Sequence, residues 1–311
     1  MTTLICGSVA FDNIMVFGDR FRNHILPDQI HILNVSFLVP EMRREFGGCA
    51  ANIAYSLHLL GGYPTIMATV GADAQPYFER WQTLGLRTDG VRVVEETLTA
   101  QAFITTDLDD NQITAFHPGA MNFSHLNHVA DVPDATLGIV GPDGRDGMLQ
   151  HARELAAAGI PFIFDPGQGM PMFSGEDLLQ FIEQATYCAV NSYEAQMLTE
   201  KTGQSLAELA ARLEALIITH GAEGSEILAG SERYRIPCVP ADAVVDPTGC
   251  GDAFRAGLLY GIANGWDWQR TGQLAAVMGA IKISHRGGQN HAPSRDDIAA
   301  RYQAAFGESP W

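Results

Sequence analysis

The run Asp246-Pro247-Thr248-Gly249-Cys250-Gly251-Asp252-Ala253-Phe254 gathers residue types that could act on a phosphoryl group. Two glycines flank Cys250 just before Phe254, Leu258, Leu259 and Ile262, whose spacing predicts an amphipathic helix. Glycine lets successive backbone N–H groups turn towards one point. The first N–H groups of a helix have no internal partner, and the helix dipole adds partial positive charge there. The expected product is an anion site made by the N–H groups of Gly249, Cys250 and Gly251. Asp252 places a carboxylate at its mouth. A carboxylate repels phosphate, so it needs a task. The simplest is to take the proton from a hydroxyl that attacks a phosphoryl group. The alternative is a plain helix cap.

Such a site needs a scaffold, and the chain alternates strand and helix signals. Short apolar runs suited to buried parallel strands are Leu4–Gly7, Thr65–Val70, Leu137–Val140, Phe162–Phe164, Tyr187–Val190 and Leu216–Thr219. Between them fall helical patterns at Asn52–Leu60, Gly147–Ala158, Gly175–Gln184, Ser192–Thr199 and Ser205–Leu213. Ser174, three before Asp177, marks a helix start. Ala253–Asn264, Trp268–Lys282 and Ser294–Phe306 complete a helical last third. This order predicts an α/β fold, a doubly wound and mainly parallel sheet covered by helices on both faces. Ligands of such sheets sit at the carboxyl ends of the strands. Two segments break the alternation. His31–Val39 is β-like, and Ala102–Thr106 with Thr114–His117 resembles a hairpin across Asp107–Gln112. Paired together they would form a small separate sheet, a lid that keeps water from the donor phosphate.

Composition limits the alternatives. The chain has 311 residues, 46% of them hydrophobic, enough for a large core. Its 36 acidic against 19 basic residues give a net charge of −17, which disfavours nucleic acid and anionic membranes as partners. Cys6, Cys49, Cys188, Cys238 and Cys250 are odd in number and scattered, so neither a disulfide framework nor a zinc site is indicated. The ten histidines show no metal-binding spacing. Met1–Gly7 reads as a strand, not a signal peptide, and no segment reaches transmembrane length. The expected compartment is the cytoplasm, where the sequons at Asn34-Val35-Ser36 and Asn122-Phe123-Ser124 carry no meaning.

Four ordered motifs resemble one family. Gly47-Gly48-Cys49-Ala50-Ala51-Asn52-Ile53-Ala54 looks like the N-terminal signature of the ribokinase-like (PfkB carbohydrate kinase) family, and Asp246–Phe254 like its C-terminal signature, with Cys250 where alanine is usual. Asn191-Ser192-Tyr193-Glu194 resembles its Asn-x-x-Glu motif, and Thr219-His220-Gly221-Ala222-Glu223-Gly224 its nucleotide-phosphate turn. The resemblance spans nearly the whole chain. It implies one ribokinase-like kinase domain over residues 1–311, with a lid formed by about 13–46 and 97–121. Within the family, Gly7-Ser8-Val9-Ala10-Phe11-Asp12, Leu26-Pro27, Val35–Val39, Thr105-Thr106-Asp107 and Ala115–Met121 are similar to bacterial adenosine kinases of the ribokinase-like kind.

The resemblance then suggests roles. Asp12 would accept both ribose hydroxyls, with Ser8, Ser36, Gly48, Asn52 and Gln168 completing the nucleoside pocket; a turn residue is the plainer reading of Asp12. Phe103 and Phe116 could sandwich a purine, unless both are ordinary core aromatics. Asn191 and Glu194 would hold Mg²⁺ through waters, or else form a helix cap with a surface carboxylate. Asn191, Thr219, Gly221 and Gly224 would meet the ATP phosphates, a plain tight turn being the alternative. Asp246 and Thr248, with a carbonyl near Gly287, resemble the family's monovalent-cation site, for K⁺. One departure stands out. In the resembled enzymes a glutamine and an arginine follow the Asp-Pro-x-Gln stretch; here Gly169 and Met172 replace them, which removes a charge at the transferring phosphate unless another cation such as Arg255 fills in. On its own helix, Arg255 could equally face solvent. The implied activity is ATP-dependent phosphorylation of a nucleoside 5′-hydroxyl, adenosine first, in purine salvage. The alternatives are a ribose-type sugar kinase and a catalytically weak nucleoside-binding protein. A homodimer through the lid is a further expectation.

Overall fold

Side chains alternate along a strand, so a strand buried on both faces feeds two cores. That is how the main sheet is built. A computed structural model describes residues 1–25, 34–109 and 111–311. Its strands in chain order are β1 (Thr2–Cys6), β2 (Ala10–Val16), β3 (Glu41–Gly47), β4 (Tyr63–Gly71), β5 (Val91–Val94), β6 (Ala100–Thr106), β7 (Gln112–His117), β8 (Ala135–Val140), β9 (Phe162–Phe164), β10 (Tyr187–Asn191), β11 (Ala215–Thr219), β12 (Ser225–Ala229) and β13 (Glu232–Ile236). Its helices are α1 (Cys49–Leu59), α2 (Gln75–Leu84), α3 (Arg145–Ala157), α4 (Gly175–Gln184), α5 (Ser192–Thr202), α6 (Leu206–Ala210), α7 (Cys250–Ala263), α8 (Trp268–Ile283) and α9 (Arg295–Phe306).

Nine strands form one sheet in the order β13-β12-β11-β10-β9-β8-β1-β4-β5. All neighbours are parallel except the β11-β12-β13 edge, which is antiparallel. Ile5, Ile139, Ile163, Ala189 and Ile217 point into one core with α1, α7, α8 and α9, whereas Leu4, Cys6, Val140, Phe164, Val190 and Leu216 point into the other with α3, α4, α5 and α6. The doubly wound fold expected from the β-α alternation is therefore present. From β1 the chain order runs outwards in both directions, so the switch point lies between β1 and β8, where a ligand crevice belongs.

The helix starts follow the local chemistry. Ser174 accepts the Asp177 N–H at 3.1 Å, and Ser205 and Ser294 make the same box with Glu208 and Asp297. Gly249 precedes α7 at φ 77°, a conformation that costs glycine little. The helix expected over Ser205–Leu213 is shorter, Leu206–Ala210.

A second sheet has the order β3-β2-β6-β7. Here the expected make-up needs correction. Of the β-like run His31–Val39, residues 31–33 lie outside the described residues and 34–39 form no strand; the strand is Glu41–Gly47. Asp12 lies not in a turn after β1 but within β2. The hairpin is present as β6 and β7, joined to β3 through β2. Leu26-Pro27 lies outside the described residues. No helix among those described is long and apolar enough to cross a membrane.

Candidate active site

Asp252 and Asn52, 200 residues apart in the chain, meet side chain to side chain. Asp252 stands in the first turn of α7, and the Asn52 Nδ2 donates to its Oδ2 at 2.9 Å. Asn52 is buried in α1, and its own oxygen accepts from Gln289 Nε2 at 3.0 Å. Gln289 in turn is held by Arg80, through Nε to its side chain (3.1 Å) and Nη2 to its carbonyl (2.6 Å). Gln289 had no periodicity or motif to mark it in the sequence. Glycine is required at Gly48: it has φ 85°, and a Cβ would lie 2.6 Å from the Ser8 carbonyl. A Cβ on Gly47 would strike the Asp12 carboxylate.

Burial pushes Asp252 up to about 6, helped by Asp165 and Asp12 and opposed by Asn52 and Arg255. Burial likewise raises Asp12 to about 6, with Asp246 and Glu45 adding to it. Two carboxyls raised to about 6, with Asp12 acting on Asp252, mark a candidate for proton transfer. Burial also drives the Cys250 thiol up to about 11, so it offers no thiolate nucleophile near neutral pH.

The anion site differs from expectation in one donor. The Cys250 N–H already donates to the Pro247 carbonyl at 3.1 Å. The N–H groups of Gly249, Gly251 and Asp252 have no such acceptor among the described residues. Asp252 thus adds a backbone donor that the glycine pattern did not suggest. Behind this turn, Arg255 is not at the surface. It is 5% exposed, bonded to Asp165 through Nε (3.1 Å) and Nη2 (3.2 Å), and donates to the Ala189 carbonyl at 3.3 Å. Its Nη1 would lie 3.8 Å from a Cβ on Gly251, so a permanent cation does stand beside the anion turn. Met172 is 43% exposed and does not pack in the core, while Gly169 is buried.

Asn191 and Thr219 are register partners at the carboxyl ends of β10 and β11. Asn191 caps α5: its side chain accepts the Glu194 N–H, and its N–H donates to Glu194 Oε2, both at 2.8 Å. The cap reading therefore holds, but Glu194 is half-buried and not a surface carboxylate. Glu194 Oε1 takes no part in it, and burial raises the Glu194 carboxyl. No three His, Cys, Asp or Glu among the described residues converge to bind a metal directly. One carboxylate oxygen fits a magnesium ion held through its water shell and brought in with a nucleotide. Gly221 and Gly224 make a tight turn at φ 59° and 95°, closed by the His220 N–H donating to the Gly224 carbonyl at 2.8 Å. A cleft of about 870 Å³ opens beside this turn, lined by Ser192, His220 and Arg233 among others, rather than at Asp252.

Not every candidate joins the cluster. Ser8 Oγ accepts the Cys49 N–H at 3.2 Å, tying the loop after β1 to the start of α1. Ser36 and Gln168 are exposed, and no hydrogen bond links them to Asp12 or Asp252 among the described residues. The expected sandwich of Phe103 and Phe116 fails on register. Asp12, Ala102 and Phe116 lie opposite one another across three strands, while Phe103 pairs with Asn13 and Ala115 in the next row. Adjacent rows face opposite sides, so only Phe116 shares the face of Asp12. Both rings are substantially exposed, which also removes the ordinary-core alternative.

Known proteins resemble this chain along most of its length. The pfkB family carbohydrate kinase model matches residues 12–295. A nucleoside kinase from Methanocaldococcus jannaschii is 32% identical over 274 residues, covering 87% of this chain and 89% of that protein. The structure of Burkholderia thailandensis nucleoside kinase in complex with inosine has a TM-score of 0.90 and 59% identity, with 99% of each chain covered; the same kinase has also been solved in complex with ADP-inosine. Arabidopsis thaliana ribokinase complexed with ribose and ATP shares the fold, with a TM-score of 0.79 at 20% identity.

Proposed function

The chain belongs to the pfkB family of carbohydrate kinases, and from that footing we propose that it transfers the γ-phosphoryl group of ATP to the 5′-hydroxyl of a purine nucleoside. The observation that carries the reading is Asp252, clasped by Asn52 at the open first turn of α7 and raised into the range of a general base. In this reading Asp252 takes the 5′-hydroxyl proton as the oxygen attacks in line. The N–H groups of Gly249 and Gly251, backed by the Arg255 guanidinium, stabilise the moving phosphoryl group. Asp12 accepts the ribose hydroxyls from the second sheet, which closes over the site as a lid. Magnesium held through Glu194 would offset charge on the ATP phosphates. Inosine is supported by the Burkholderia relative, and adenosine by the aromatic-Pro-Gly-Ala-Met segment at 116–121. Direct assay of phosphate transfer from ATP to inosine, adenosine, other nucleosides and free pentoses tests the reading. Faster turnover of ribose than of any nucleoside would replace it with a sugar kinase.

Two expected results belong here. Phe116→Ala weakens nucleoside binding by about 1–3 kcal/mol, the size of one stack, and leaves ATP binding unchanged. Phe103→Ala leaves both unchanged, because its ring leaves the other face; titration calorimetry on the two variants reads this directly.

The second is a pH profile. Asp252 works as a base only when ionised, so turnover falls as pH drops through about 6. Stability moves the other way. A carboxyl whose pKa is raised by folding binds more protons folded than unfolded, so Asp252 and Asp12 favour the folded state more at pH 4 than above about 6. Turnover and melting temperature measured across the same buffers should therefore change with opposite sign from these two groups. A turnover that stays flat down to pH 5 counts against Asp252 as the base.

A further inference from the structure

The K⁺ expected beside Asp246 and Thr248 meets an obstacle of chemistry. Lys282 lies in the last turn of α8 and has no exposed surface. Its Nζ donates to the Asp246 carbonyl at 2.8 Å and to the His285 carbonyl at 3.0 Å. The Asp246 carboxylate bridges the two loops concerned, accepting the Thr248 N–H at 2.9 Å and the Gly287 N–H at 2.8 Å. A buried positive charge, ligated by backbone carbonyls, thus already occupies the foot of the turn that carries Gly249 and Gly251. Carbonyl oxygens at such distances are the surroundings a potassium ion would seek, and two cations in one small carbonyl cage repel strongly. A lysine buried this fully needs partners for its ammonium, and a helix C-terminus is a favourable place for it. In sequence the signal was small: one lysine inside the apolar run Ala280-Ile281-Lys282-Ile283.

We propose that the Lys282 ammonium is a built-in monovalent cation, which fixes the Asp246–Gly251 turn and makes phosphoryl transfer independent of added potassium. Lys282 is a positioning residue; it acts through the turn and touches no substrate. The inference rests on the phosphoryl-transfer reading of Asp252 and concerns only what holds the turn.

The test compares the wild-type protein, Lys282→Ala and Lys282→Met with ATP and inosine, in tetramethylammonium buffer and after replacement by potassium or ammonium at equal ionic strength. The wild type should turn over and melt identically in all three salts. Lys282→Ala should lose about 10²-fold in kcat, the scale of one lost stabilising contact at an anion site, with a smaller change in KM. Potassium or ammonium should recover part of that rate and raise the melting temperature of this variant alone. Lys282→Met keeps the volume filled and should not be rescued. Potassium activation or potassium stabilisation of the wild type overturns the proposal, as does an alanine variant with native turnover or one that no cation restores. The wild-type comparison stands even if neither variant folds. If the wild type phosphorylates neither nucleosides nor pentoses, the kinase reading fails, and the melting comparison still reports on the cation.

Discussion

Asp252→Asn is expected to lower turnover by about 10²–10⁴-fold, the range for loss of a general base, while nucleoside affinity changes little. The substitution keeps shape and leaves a hydrogen-bonding partner for Asn52, so the clasp at 2.9 Å can persist. What disappears is the proton acceptor. The acid limb near pH 6 should vanish with it, because the group that titrates there is gone. Steady-state kinetics across pH, with calorimetry for binding, gives both readouts. Near-native turnover would remove Asp252 from the chemistry and leave it as a half-buried partner of Asn52, since Gly249 and not Asp252 caps α7.

The largest effect on stability is expected at the buried pair behind the site. Asp165 and Arg255 are 5% exposed each, and Asp165 is the only carboxylate bonded to Arg255 among the described residues. Asp165→Ala leaves a guanidinium buried without its counter-charge, which costs about 3–5 kcal/mol. Replacing both, as Asp165→Leu with Arg255→Met, should cost much less, since no charge is stranded. Urea melts of the single and double variants decide this. Function should respond in a direction that packing alone would not produce. Asp165 raises Asp252, so in the milder Asp165→Asn the acid limb should move below pH 6. An acid limb that stays in place would mean that Asp165 does not act on Asp252.

Much of this was legible where physics leaves one solution. A run such as Phe162–Phe164 or residues 215–218, apolar at every position, suits a strand covered on both faces, and the structure buries it so. The glycines of the two signatures were legible because the backbone at Gly48 and Gly249 lies at positive φ. The second sheet was harder. Glu41–Gly47 carries four charged residues and half-exposed faces, so its apolar period is lost. Phe103 and Phe116 looked like a pair because both sit on one hairpin; which face each ring leaves depends on a register that sequence proximity does not fix. Arg255 was ambiguous for a similar reason. Helical spacing places it one turn beyond Asp252, but only its bonds to Asp165 and to the Ala189 carbonyl of β10 show that this side is buried. Gln289 sits in a loop without period, and nothing local announces that it holds Asn52.

The clasp at the site also has a consequence in time. Asn52 meets Asp252 across 200 residues of chain and Gln289 across 237. Tyr55 Oη reaches the His291 carbonyl over a similar span. Contacts this distant in sequence close late, because the chain entropy they remove must be offset by structure already formed. On the ribosome, where synthesis runs from the N-terminus, every strand of both sheets precedes Gln289 and can emerge before it. A nascent chain can therefore hold most of its sheet and still lack the side-chain bonds that orient Asn52. Nucleoside affinity should thus be the last property to appear in refolding, later than the far-UV signal of the sheet, which makes ligand binding a clock for completion of the chain.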